Sequence, residues 1–565
     1  MKPKILSDKT AKKKIEAITG IHPLVAEILY NRGYKTQHEM EDFLQDHPLN
    51  DPFSIKDIEK GAEIIKDAIN NKEKIVAYVD TDADGICSAA ILVPTLRDLG
   101  ADVEYYTNNK LRDGYGMCKL GVDNILAKWP DTKTIITADN GIVAYDAIDY
   151  AKNMGLKVVV TDHHEPGNVS PNADAVINPK QPDCEYPFKE ICGTTVAWKL
   201  MYVVIEKMRE KLPGNMAAEV QCSLDKKVEL VALATIADVT PLVNENRTIV
   251  KNGIAIMNND PSLAIRTFKK MLGVDMVDAV NTLAFRIAPH LNSPSRMNGD
   301  PSVAIDLLLT DNEANAEAFV AAVMRQNEER KALTEKNTQL ALGKIPKDLP
   351  YVIVIQDESI NVGVAGIVAG HITEKYNRPA IVLGEDFEGF CVGSARSVDG
   401  FNIKEALDEV SDLLYKYGGH AKAAGMTFSE SKLEEFKRRI NEIAERVLDA
   451  DTLRPTIRID ALAENEDLDM AAAEAIEAIG PFGEGWPEPV IGLTFEYNES
   501  YYMGKMKEHL KLVDRNTGLS IVGWGLTSKF NRSEKDFNKA IGTIGINEYK
   551  GRRTTQFFIK DDMLY

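Results

Sequence analysis

The amino-acid sequence predicts an α/β protein in which two α/β domains, the first with a parallel sheet, are joined by a long helix and followed by a small β-barrel. Three patterns predict this fold. From Lys74 onward, apolar runs alternate with helical stretches, which is the rhythm of parallel strands with crossover helices. The charged stretch 312–345 has no glycine or proline until its last turn, as is typical of a connecting helix. After 455, short apolar runs are separated by turns that contain glycine and asparagine.

These patterns divide the 565 residues into five segments. Residues 1–72 form a predicted helical segment packed on the first domain, because apolar residues recur at intervals of three and four in PLVAEILYNRG and EKGAEIIKDAINN. The first α/β domain is predicted at 73–312 and the connecting helix at 313–348. The second α/β domain is predicted at 349–450, where the strands YVIVIQ and PAIVLGE begin it. Residues 451–565 complete the chain as the β-barrel.

Composition excludes several classes of protein. No run approaches the roughly 18 apolar residues of a transmembrane helix, and the basic start lacks the apolar core of a signal peptide. We therefore expect a cytoplasmic protein that does not contact membranes. The six cysteines show no CxxC or Cys/His spacing, which argues against a zinc site or a disulfide framework. The net charge of −19 is unfavourable for binding phosphates, but residues 501–565 hold 12 Lys and Arg against 7 Asp and Glu.

Acidic and imidazole side chains follow three successive predicted strands. KIVAYVD leads into Asp80, Asp82 and Asp84, KTIITAD ends at Asp139, and KVVVTD ends at Asp162-His163-His164. Open parallel sheets bind ligands at the carboxyl ends of their strands. A calcium loop of the EF-hand type is the alternative for the first group, but it needs a preceding helix and a later glutamate, whereas a strand precedes and ICSAAILV follows. A shared polar site at the sheet edge is the better interpretation.

Several carboxylates gathered at one place indicate metal ions. Like charges at close range raise each other's pKa, so such a group is unfavourable without cations. Two divalent ions about 3.5 to 4 Å apart can activate a water, hold a phosphate and stabilise a leaving oxygen. Mn²⁺ and Mg²⁺ suit carboxylate ligands with some imidazole. A single histidine at a strand end is more often structural, and Asp238 at the end of VELVALATIAD is by itself a helix cap or surface carboxylate.

Together these motifs resemble a known family. The DTDADG turn, ITADNG, Asp162-His163-His164 and ATIADVTPL look like the four motifs of the DHH phosphoesterases, and within them the RecJ family of single-strand-specific exonucleases. The resemblance continues through NSPSRMNGD, GVAGIVAG, GSARS, GGHAKAAG and PFGEGWPEP, and so covers nearly the whole chain. It implies a DHH domain, a DHHA1 domain after the connecting helix, and a C-terminal OB-like barrel that binds nucleic acid.

The resemblance also implies roles for individual residues. The implied metal ligands are Asp82, Asp84, Asp139, His163 and Asp238, with Asp139 bridging two ions and with Asp80 and His164 nearby. The implied 5′-phosphate contacts are Arg296, Ser394 and Arg396, with His420 at the junction of the two α/β domains and Lys110 and Tyr115 also at the substrate. Taken alone, Arg296 and Arg396 would be surface salt-bridge partners. Lys110 stands where the family pattern has arginine, and Tyr78 stands where some members have a histidine ligand. Aromatic residues that can stack on bases in the barrel are Tyr501, Tyr502, Trp524 and Phe530, although each fits a barrel core equally well.

The function implied by the resemblance is a two-metal exonuclease that degrades single-stranded DNA from its 5′ end to 5′-mononucleotides, in DNA repair and recombination. The expected cofactors are two Mn²⁺ or Mg²⁺ ions, and the expected state is a monomer that works with a single-strand-binding protein and a helicase. One alternative is a DHH phosphoesterase acting on nanoRNA or cyclic dinucleotides, but such enzymes usually lack the C-terminal β domain. A non-catalytic DNA-binding replication scaffold is the other, but it would not require every carboxylate of the pattern.

Overall fold

The structure is a computed structural model that describes residues 2–5, 18–297, 299–385, 389–449, 452–454, 456–527, 538–549 and 551–564. The chain forms two compact units. The central unit contains Asn50–Thr240 and Ile249–Pro455, and the terminal unit contains Met1–Leu49, Pro241–Thr248 and Thr456–Tyr565. Among the described residues, no helix has both the length and the apolar content needed to cross a bilayer.

The helices and strands are numbered along the chain. The helices are α1 (Pro23–Asn31), α2 (Gln37–Leu44), α3 (Ile58–Asn70), α4 (Ala83–Asp98), α5 (Lys110–Asp113), α6 (Lys119–Lys128), α7 (Tyr145–Asn153), α8 (Gly193–Met208), α9 (Met216–Lys226), α10 (Val228–Ala237), α11 (Asn244–Asn259), α12 (Leu263–Leu272), a π-helix (Ala279–Ile287), α13 (Ala288–Met297), α14 (Ser302–Leu309), α15 (Glu313–Gly343), α16 (Val362–Tyr376), α17 (Ile403–Asp408), α18 (Leu433–Val447) and α19 (Met470–Ala478). The strands are β1 (Lys2–Ile5), β2 (Lys74–Val79), β3 (Val103–Thr107), β4 (Thr132–Ala138), β5 (Lys157–Thr161), β6 (Ala175–Ile177), β7 (Ile353–Gln356), β8 (Ala380–Glu385), β9 (Phe390–Arg396), β10 (Lys416–Gly419), β11 (Ala423–Ser429), β12 (Thr456–Ile459), β13 (Ala461–Glu464), β14 (Ile491–Thr494), β15 (Tyr497–Met503), β16 (His509–Asp514), β17 (Ser520–Gly523), β18 (Lys539–Tyr549) and β19 (Arg552–Leu564).

The first sheet of the central unit is wholly parallel, in the order β3-β2-β4-β5-β6. This confirms the parallel sheet that the sequence predicts. β2 and β4 consist almost entirely of buried residues, as expected for strands covered by helices on both faces. β3, the next strand in the chain, pairs with one edge of β2, and β4 pairs with the other edge. The strand order therefore reverses between β2 and β4, and the crevice at their carboxyl ends is where such sheets bind ligands.

The second sheet of the central unit has the order β10-β11-β9-β8-β7 and is mixed. β7 and β8 are parallel, and the remaining pairs are antiparallel. Its core includes the stacked rings of Phe428 and Phe436, whose centroids are 4.7 Å apart. α15 precedes this sheet as a 31-residue helix and packs against α12, α13, α14 and α16. It therefore contacts helices that precede it in the chain as well as one from the second sheet's domain.

The terminal unit is built on a seven-stranded sheet in the order β13-β14-β18-β19-β17-β16-β15. Helix α1 is attached to this unit by Arg32, which follows it. The guanidinium of Arg32 donates to both carboxylate oxygens of Asp460 at 3.0 and 2.8 Å and lies 4.4 Å from the ring centroid of Trp486. β1 pairs in parallel with β12, so that Lys2 lies opposite Thr456. Both ends of the chain therefore contribute to one unit.

Candidate metal centre

The turn after β2 presents three carboxylates at the sheet edge. Asp80 follows the strand, Asp82 is the N-cap of α4, and Asp84 lies in the first turn of that helix. The Oδ1 atom of Asp82 accepts a hydrogen bond from the backbone N–H of Asp84 at 3.1 Å. A Cβ atom on Gly85 would lie 2.4 Å from the carbonyl oxygen of Asp80. Only glycine therefore permits the tight turn that brings these carboxylates together.

The carboxylate of Asp84 is held by the N-terminus of α8. The backbone N–H of Gly193 donates to its Oδ2 at 2.7 Å, and the N–H of Thr194 donates to its Oδ1 at 2.7 Å. The hydroxyl of Thr194 also lies 2.6 Å from Oδ1. Unpaired N–H groups and the helix dipole make a helix N-terminus a favourable place for a carboxylate. Asp84 is therefore fixed in one orientation.

Asp139 lies at the centre of the site, directly after β4. Its backbone is left-handed, with φ of 62°, which turns the side chain away from the strand direction. Its Oδ1 atom has no hydrogen-bond partner and lies 3.2 Å from Nε2 of His163. Burial raises the pKa of Asp139 well above its usual value, and the neighbouring charge of Asp84 raises it further.

Asp162 orients the two histidines that follow it. Its Oδ1 atom accepts hydrogen bonds from the N–H of His163 and from Nδ1 of His164, both at 2.7 Å, and its Oδ2 accepts one from the N–H of Ile142 at 2.9 Å. Burial alone would raise the pKa of Asp162, but the hydrogen bond and charge of His164 lower it to about 2. Burial opposes protonation of His164, yet the bond to Asp162 raises the pKa of His164 to about 9. His164 is therefore a cation at neutral pH in the metal-free protein.

The structure brings all the sequence-predicted metal ligands together. The Nε2 atom of His163 lies 3.7 Å from both Oδ2 of Asp84 and Oδ2 of Asp238, which is the C-cap of α10. Ligand atoms within 4.8 Å of one another form three triads, Asp80-Asp82-Asp139, Asp84-His163-Asp238 and Asp139-His163-His164. The first two triads share no residue. These residues would hold two divalent ions, and Asp139 belongs to both the first and the third triad.

The chemistry of these residues fits divalent cations. Within the described part of the chain, the buried atoms Asp80 Oδ1, Asp139 Oδ1 and His163 Nε2 have no hydrogen-bond partner, although buried polar atoms nearly always have one. Burial, followed by the charge of Asp82, raises the pKa of Asp80 to about 7. Burial, followed by the charge of Asp84, raises the pKa of Asp238 to about 8. Metal ions would satisfy the unpartnered atoms and remove the repulsion between the carboxylates.

A group of arginines lies in the same unit. Arg296 is in the last turn of α13, Arg396 ends β9, and Arg330 is on α15. The pKa values of Arg396 and Arg330 are lowered by burial and then by the charge of Arg296, so the three guanidinium groups are near one another. Among the described residues, none of the three forms an ion pair with a carboxylate. A Cβ on Gly366 would lie 2.8 Å from Nη2 of Arg396, so this glycine makes room for the guanidinium.

The remaining predicted substrate residues are placed as follows. Ser394 is two residues before Arg396 on β9, so both side chains are on the same face of that strand. Lys110 lies over the ring of Tyr115, with Nζ 4.3 Å from the centroid, and the Tyr115 side chain is largely exposed. The ring of His420 stacks on that of His164 at a centroid distance of 6.1 Å. His420, from the second sheet's domain, therefore lies beside the metal centre.

The aromatic residues of the C-terminal domain differ in position. Trp524 and Tyr501 are about half exposed, and the ring of Trp524 meets that of His509 edge-on at 4.8 Å. Tyr501 lies opposite Lys511 across the β15–β16 pair. Phe530 lies outside the described residues. An exposed aromatic beside a lysine suits stacking on bases next to a phosphate.

Several residues with a part in the site were missed by the sequence analysis. In the sequence, Asp162 stands out only as part of the Asp162-His163-His164 motif, and no pattern indicates a role for Thr194 or Arg330. Lys180 was also missed, although it follows β6 and the strand-end rule applies to that strand as well. The partners of Thr194 and Arg330 lie far away in the sequence, so no local pattern could have identified them.

Comparisons with known proteins define the class to which this fold and site belong. The model of the DHH family N-terminal domain matches residues 74–234, that of the DHHA1 domain matches 349–446, and that of the RecJ OB domain matches 459–561. The chain thus has a DHH domain, a DHHA1 domain and an OB domain, as the sequence predicts.

Full-length relatives then define the family. The chain is 35% identical to the single-stranded-DNA-specific exonuclease RecJ of Bacillus subtilis, over 97% of this chain and 69% of that protein. It is 30% identical to the protein of the same name from Escherichia coli, over 95% of each. The chain therefore belongs to the RecJ family of single-stranded-DNA-specific exonucleases.

Solved structures agree with this assignment and with the predicted metals. The crystal structure of Thermus thermophilus RecJ in complex with Mn²⁺ matches 99% of this chain and 79% of that chain, with a TM-score of 0.81 and 28% identity. The complex of the same protein with Mg²⁺ matches with a TM-score of 0.76 and 27% identity, over 99% of this chain and 78% of that chain. Both ions that the donor set favours are thus found with a protein of this fold.

Proposed function

We propose that the protein is a metal-dependent exonuclease that hydrolyses single-stranded DNA from the 5′ end and releases 5′-mononucleotides in DNA repair and recombination. The observation that carries the proposal is a pair of ligand triads that share no residue, Asp80-Asp82-Asp139 and Asp84-His163-Asp238. The names of the relatives support single-stranded DNA as the substrate. The DHH phosphoesterases of small nucleotides are not favoured, because the RecJ OB domain is present. The scaffold alternative is not favoured either, because every carboxylate of the site is present.

The chain's own residues have distinct tasks in this reaction. Two divalent ions bound by Asp82, Asp84, Asp139, His163 and Asp238, with Asp80 beside them, would supply an activated water and stabilise charge on the phosphate and the leaving oxygen. Gly193 and Thr194 fix Asp84, and Asp162 fixes the ring of His164 and the backbone N–H of His163. Because Nδ1 of His164 is bonded to Asp162, its Nε2–H is directed elsewhere and can donate to a phosphate oxygen.

The arginine group supports end-specific cleavage. Arg296, Arg396 and Arg330 bring three positive charges together, and among the described residues none of them forms an ion pair with a carboxylate, an arrangement that a bound anion would stabilise. Guanidinium groups bind terminal phosphates through paired hydrogen bonds, and Ser394 adds a hydroxyl on the same strand face. We propose that this group binds the 5′-terminal phosphate, while Lys110, Tyr115 and His420 contact the nucleotides between it and the metal centre.

The remaining parts of the proposal come from the family resemblance. We propose a cytoplasmic monomer that acts on DNA together with a single-strand-binding protein and a helicase. We also keep the five-segment division at 1–72, 73–312, 313–348, 349–450 and 451–565, with the basic and aromatic face of the last segment guiding the strand.

One assay tests the proposed function. The protein is incubated with Mn²⁺ or Mg²⁺ and with end-labelled single-stranded and duplex DNA and RNA, each with and without a 5′ phosphate. Mononucleotides should appear first from the 5′ end of single-stranded DNA. Asp139→Ala should abolish hydrolysis and leave the circular dichroism spectrum unchanged, because it removes a carboxylate that belongs to two of the three ligand triads. Internal cuts, release from the 3′ end, or substantial turnover by Asp139→Ala at saturating Mn²⁺ would contradict the proposal.

A further inference from the structure

Lys180 is a basic residue at the metal centre, and it has no role in the reaction proposed so far. We propose that its ammonium group binds the DNA backbone at the metal centre, where a phosphate of the strand replaces the two glutamates that hold it. The inference rests on the proposed function, because it names a further residue for binding the same substrate. Lys180 is then a substrate-binding residue that acts beside the metal ligands.

The backbone of Lys180 is fixed relative to the two histidines. Asn178 follows β6, and its Nδ2–H donates to the carbonyl oxygen of His164 at 2.9 Å. The Oδ1 atom of the same Asn178 accepts a hydrogen bond from the N–H of Lys180 at 2.8 Å. One side chain therefore connects Lys180 to the segment that supplies His163 and His164. The cation that follows β6 thus lies at the same sheet edge as the carboxylates and imidazoles that follow β2, β4 and β5.

The ammonium group of Lys180 lies between two carboxylates at the rim of the centre. Its Nζ atom is 3.1 Å from Oε1 of Glu165 and 3.5 Å from Oε2 of Glu190. The lysine side chain is only 14% exposed, whereas the two glutamate side chains are 65% and 53% exposed. The lysine is therefore held in place, and each glutamate has solvent into which it can move.

The positive charge of Lys180 also acts on the centre itself. The pKa of His420 is lowered by burial, then by the charge of His164, then by that of Lys180. Together with the link through Asn178 to His164, this places the ammonium group near the histidines of the DHH domain and near His420 of the DHHA1 domain.

Charge balance gives a reason for a cation at this position. Asp80, Asp82, Asp84, Asp139 and Asp238 together carry five negative charges when ionised, and two divalent ions supply four positive ones. A DNA phosphate that enters this site adds another negative charge, which a nearby ammonium group offsets. Exchange of partners costs little, because both glutamate side chains are more than half exposed and ion pairs with exposed carboxylates are weak. Lysine suits such an exchange, because its charge is compact and its three N–H donors can rotate.

The test uses Lys180→Gln, with Lys180→Arg as the charge-conserving variant and Lys207→Gln as the matched control. Lys207 is also paired with two glutamates of the central unit, Glu59 and Glu63. Equilibrium binding of labelled single-stranded DNA is measured by fluorescence anisotropy in an Asp139→Asn background with Mn²⁺, between 50 and 200 mM salt. Steady-state kcat and KM are measured with Asp139 intact, on strands with and without a 5′ phosphate.

Lys180→Gln should weaken binding and raise KM by the same factor on both kinds of 5′ end. Loss of one phosphate contact lowers the slope of log K against log salt by about 0.7 for single strands, so the binding defect should shrink about 2.6-fold between 50 and 200 mM salt. Lys180→Arg should restore most of the affinity and the salt slope. Lys207→Gln should behave as wild type, and the melting temperatures of all variants should agree.

The inference is overturned if Lys180→Gln binds DNA with wild-type affinity and salt slope. It is also overturned if the defect does not depend on salt, or if Lys180→Arg is as defective as Lys180→Gln, because either result indicates a structural role. A defect confined to 5′-phosphorylated strands would place Lys180 at the terminal-phosphate group instead and would also refute the inference. Failure of the proposed function is distinguishable, because the protein with Lys180 intact would then not hydrolyse single-stranded DNA.

Discussion

Replacing Gly193 by alanine should inactivate the metal centre without removing any ligand. Gly193 is the first residue of α8, and its N–H donates to Asp84. Its backbone is not in the left-handed region, so an alanine backbone would fit at this position. The added methyl group, however, would lie 2.8 Å from Cβ of Asp139 and 2.9 Å from its Oδ1. The added methyl group would therefore displace Asp139, which belongs to two of the three ligand triads.

The size of the effect follows from these distances. Ordinary contacts of a Cβ atom begin at 3.4 Å, so Asp139 or α8 must move by at least about 0.6 Å. A misplacement of about 1 Å at a reacting centre can lower the rate by about 100-fold. We expect kcat to fall by between about 10-fold and 100-fold and Mn²⁺ binding to weaken, with about 1 to 3 kcal/mol of lost stability from overpacking.

The assay is kcat on labelled single-stranded DNA at saturating Mn²⁺, with Mn²⁺ affinity from calorimetry and stability from urea unfolding. Gly343→Ala is the control, because Gly343 ends α15 and nothing lies within 4 Å of the position of an added Cβ. The control should keep wild-type kcat and equal or higher stability, since alanine favours a helix over glycine. Wild-type kcat and Mn²⁺ affinity in Gly193→Ala would refute the argument that close approach to Asp139 is required.

Three further predictions address the charges of the site. Asp162→Asn should lower the pKa of His164 from about 9 toward its usual value, since the anionic partner is lost. An NMR titration of the metal-free protein measures this pKa, and an unchanged pKa would contradict the prediction. Because Asp80 and Asp238 have pKa values of about 7 and 8 without metal, Mn²⁺ binding should release protons and tighten as pH rises from 6 to 9. Because folding raises these two pKa values, the free energy of unfolding of the metal-free protein falls as pH rises from about 4 through 8. Mn²⁺ should therefore raise the melting temperature more at pH 8 than at pH 6, and a shift that does not depend on pH would contradict this. Arg396→Ala should reduce the preference for 5′-phosphorylated strands in competition assays, whereas equal loss on phosphorylated and hydroxyl ends would argue against its proposed contact.

The sequence predicts the fold of the first sheet because its strands are almost continuous apolar runs. KIVAYV, TKTIITA and KVVVT are short, buried on both faces and followed by polar residues, so both the strands and the functional edge of the sheet can be read locally. The grouping of Asp80, Asp82, Asp84, Asp139 and His163 follows from the same rule, because parallel strands end at one edge. Asp238 is different, since it ends a helix and only the family motif indicated its position.

Interactions between distant parts of the chain could not be predicted in this way. Thr194 contacts Asp84 across 110 positions, and nothing near either residue indicates the other. Arg330 approaches Arg296 only because α15 packs against α13. The left-handed backbone of Asp139 could not be predicted from the sequence either, because the residues packed around it come from the neighbouring strand and from α8. Such features depend on the finished tertiary structure rather than on local pattern.

The pairing of β1 with β12 has a consequence for synthesis of the chain on the ribosome. Lys2–Ile5 is synthesised about 450 residues before its partner Thr456–Ile459, which is a delay of roughly 20 to 90 s at ordinary translation rates. Arg32 is likewise synthesised long before its partner Asp460. The N-terminal strand and α1 therefore remain without their partners while the catalytic sheets are translated, and the terminal unit is the last part to fold. A fragment that stops before residue 456 loses more than its OB domain, because its N-terminal segment then has no strand with which to pair.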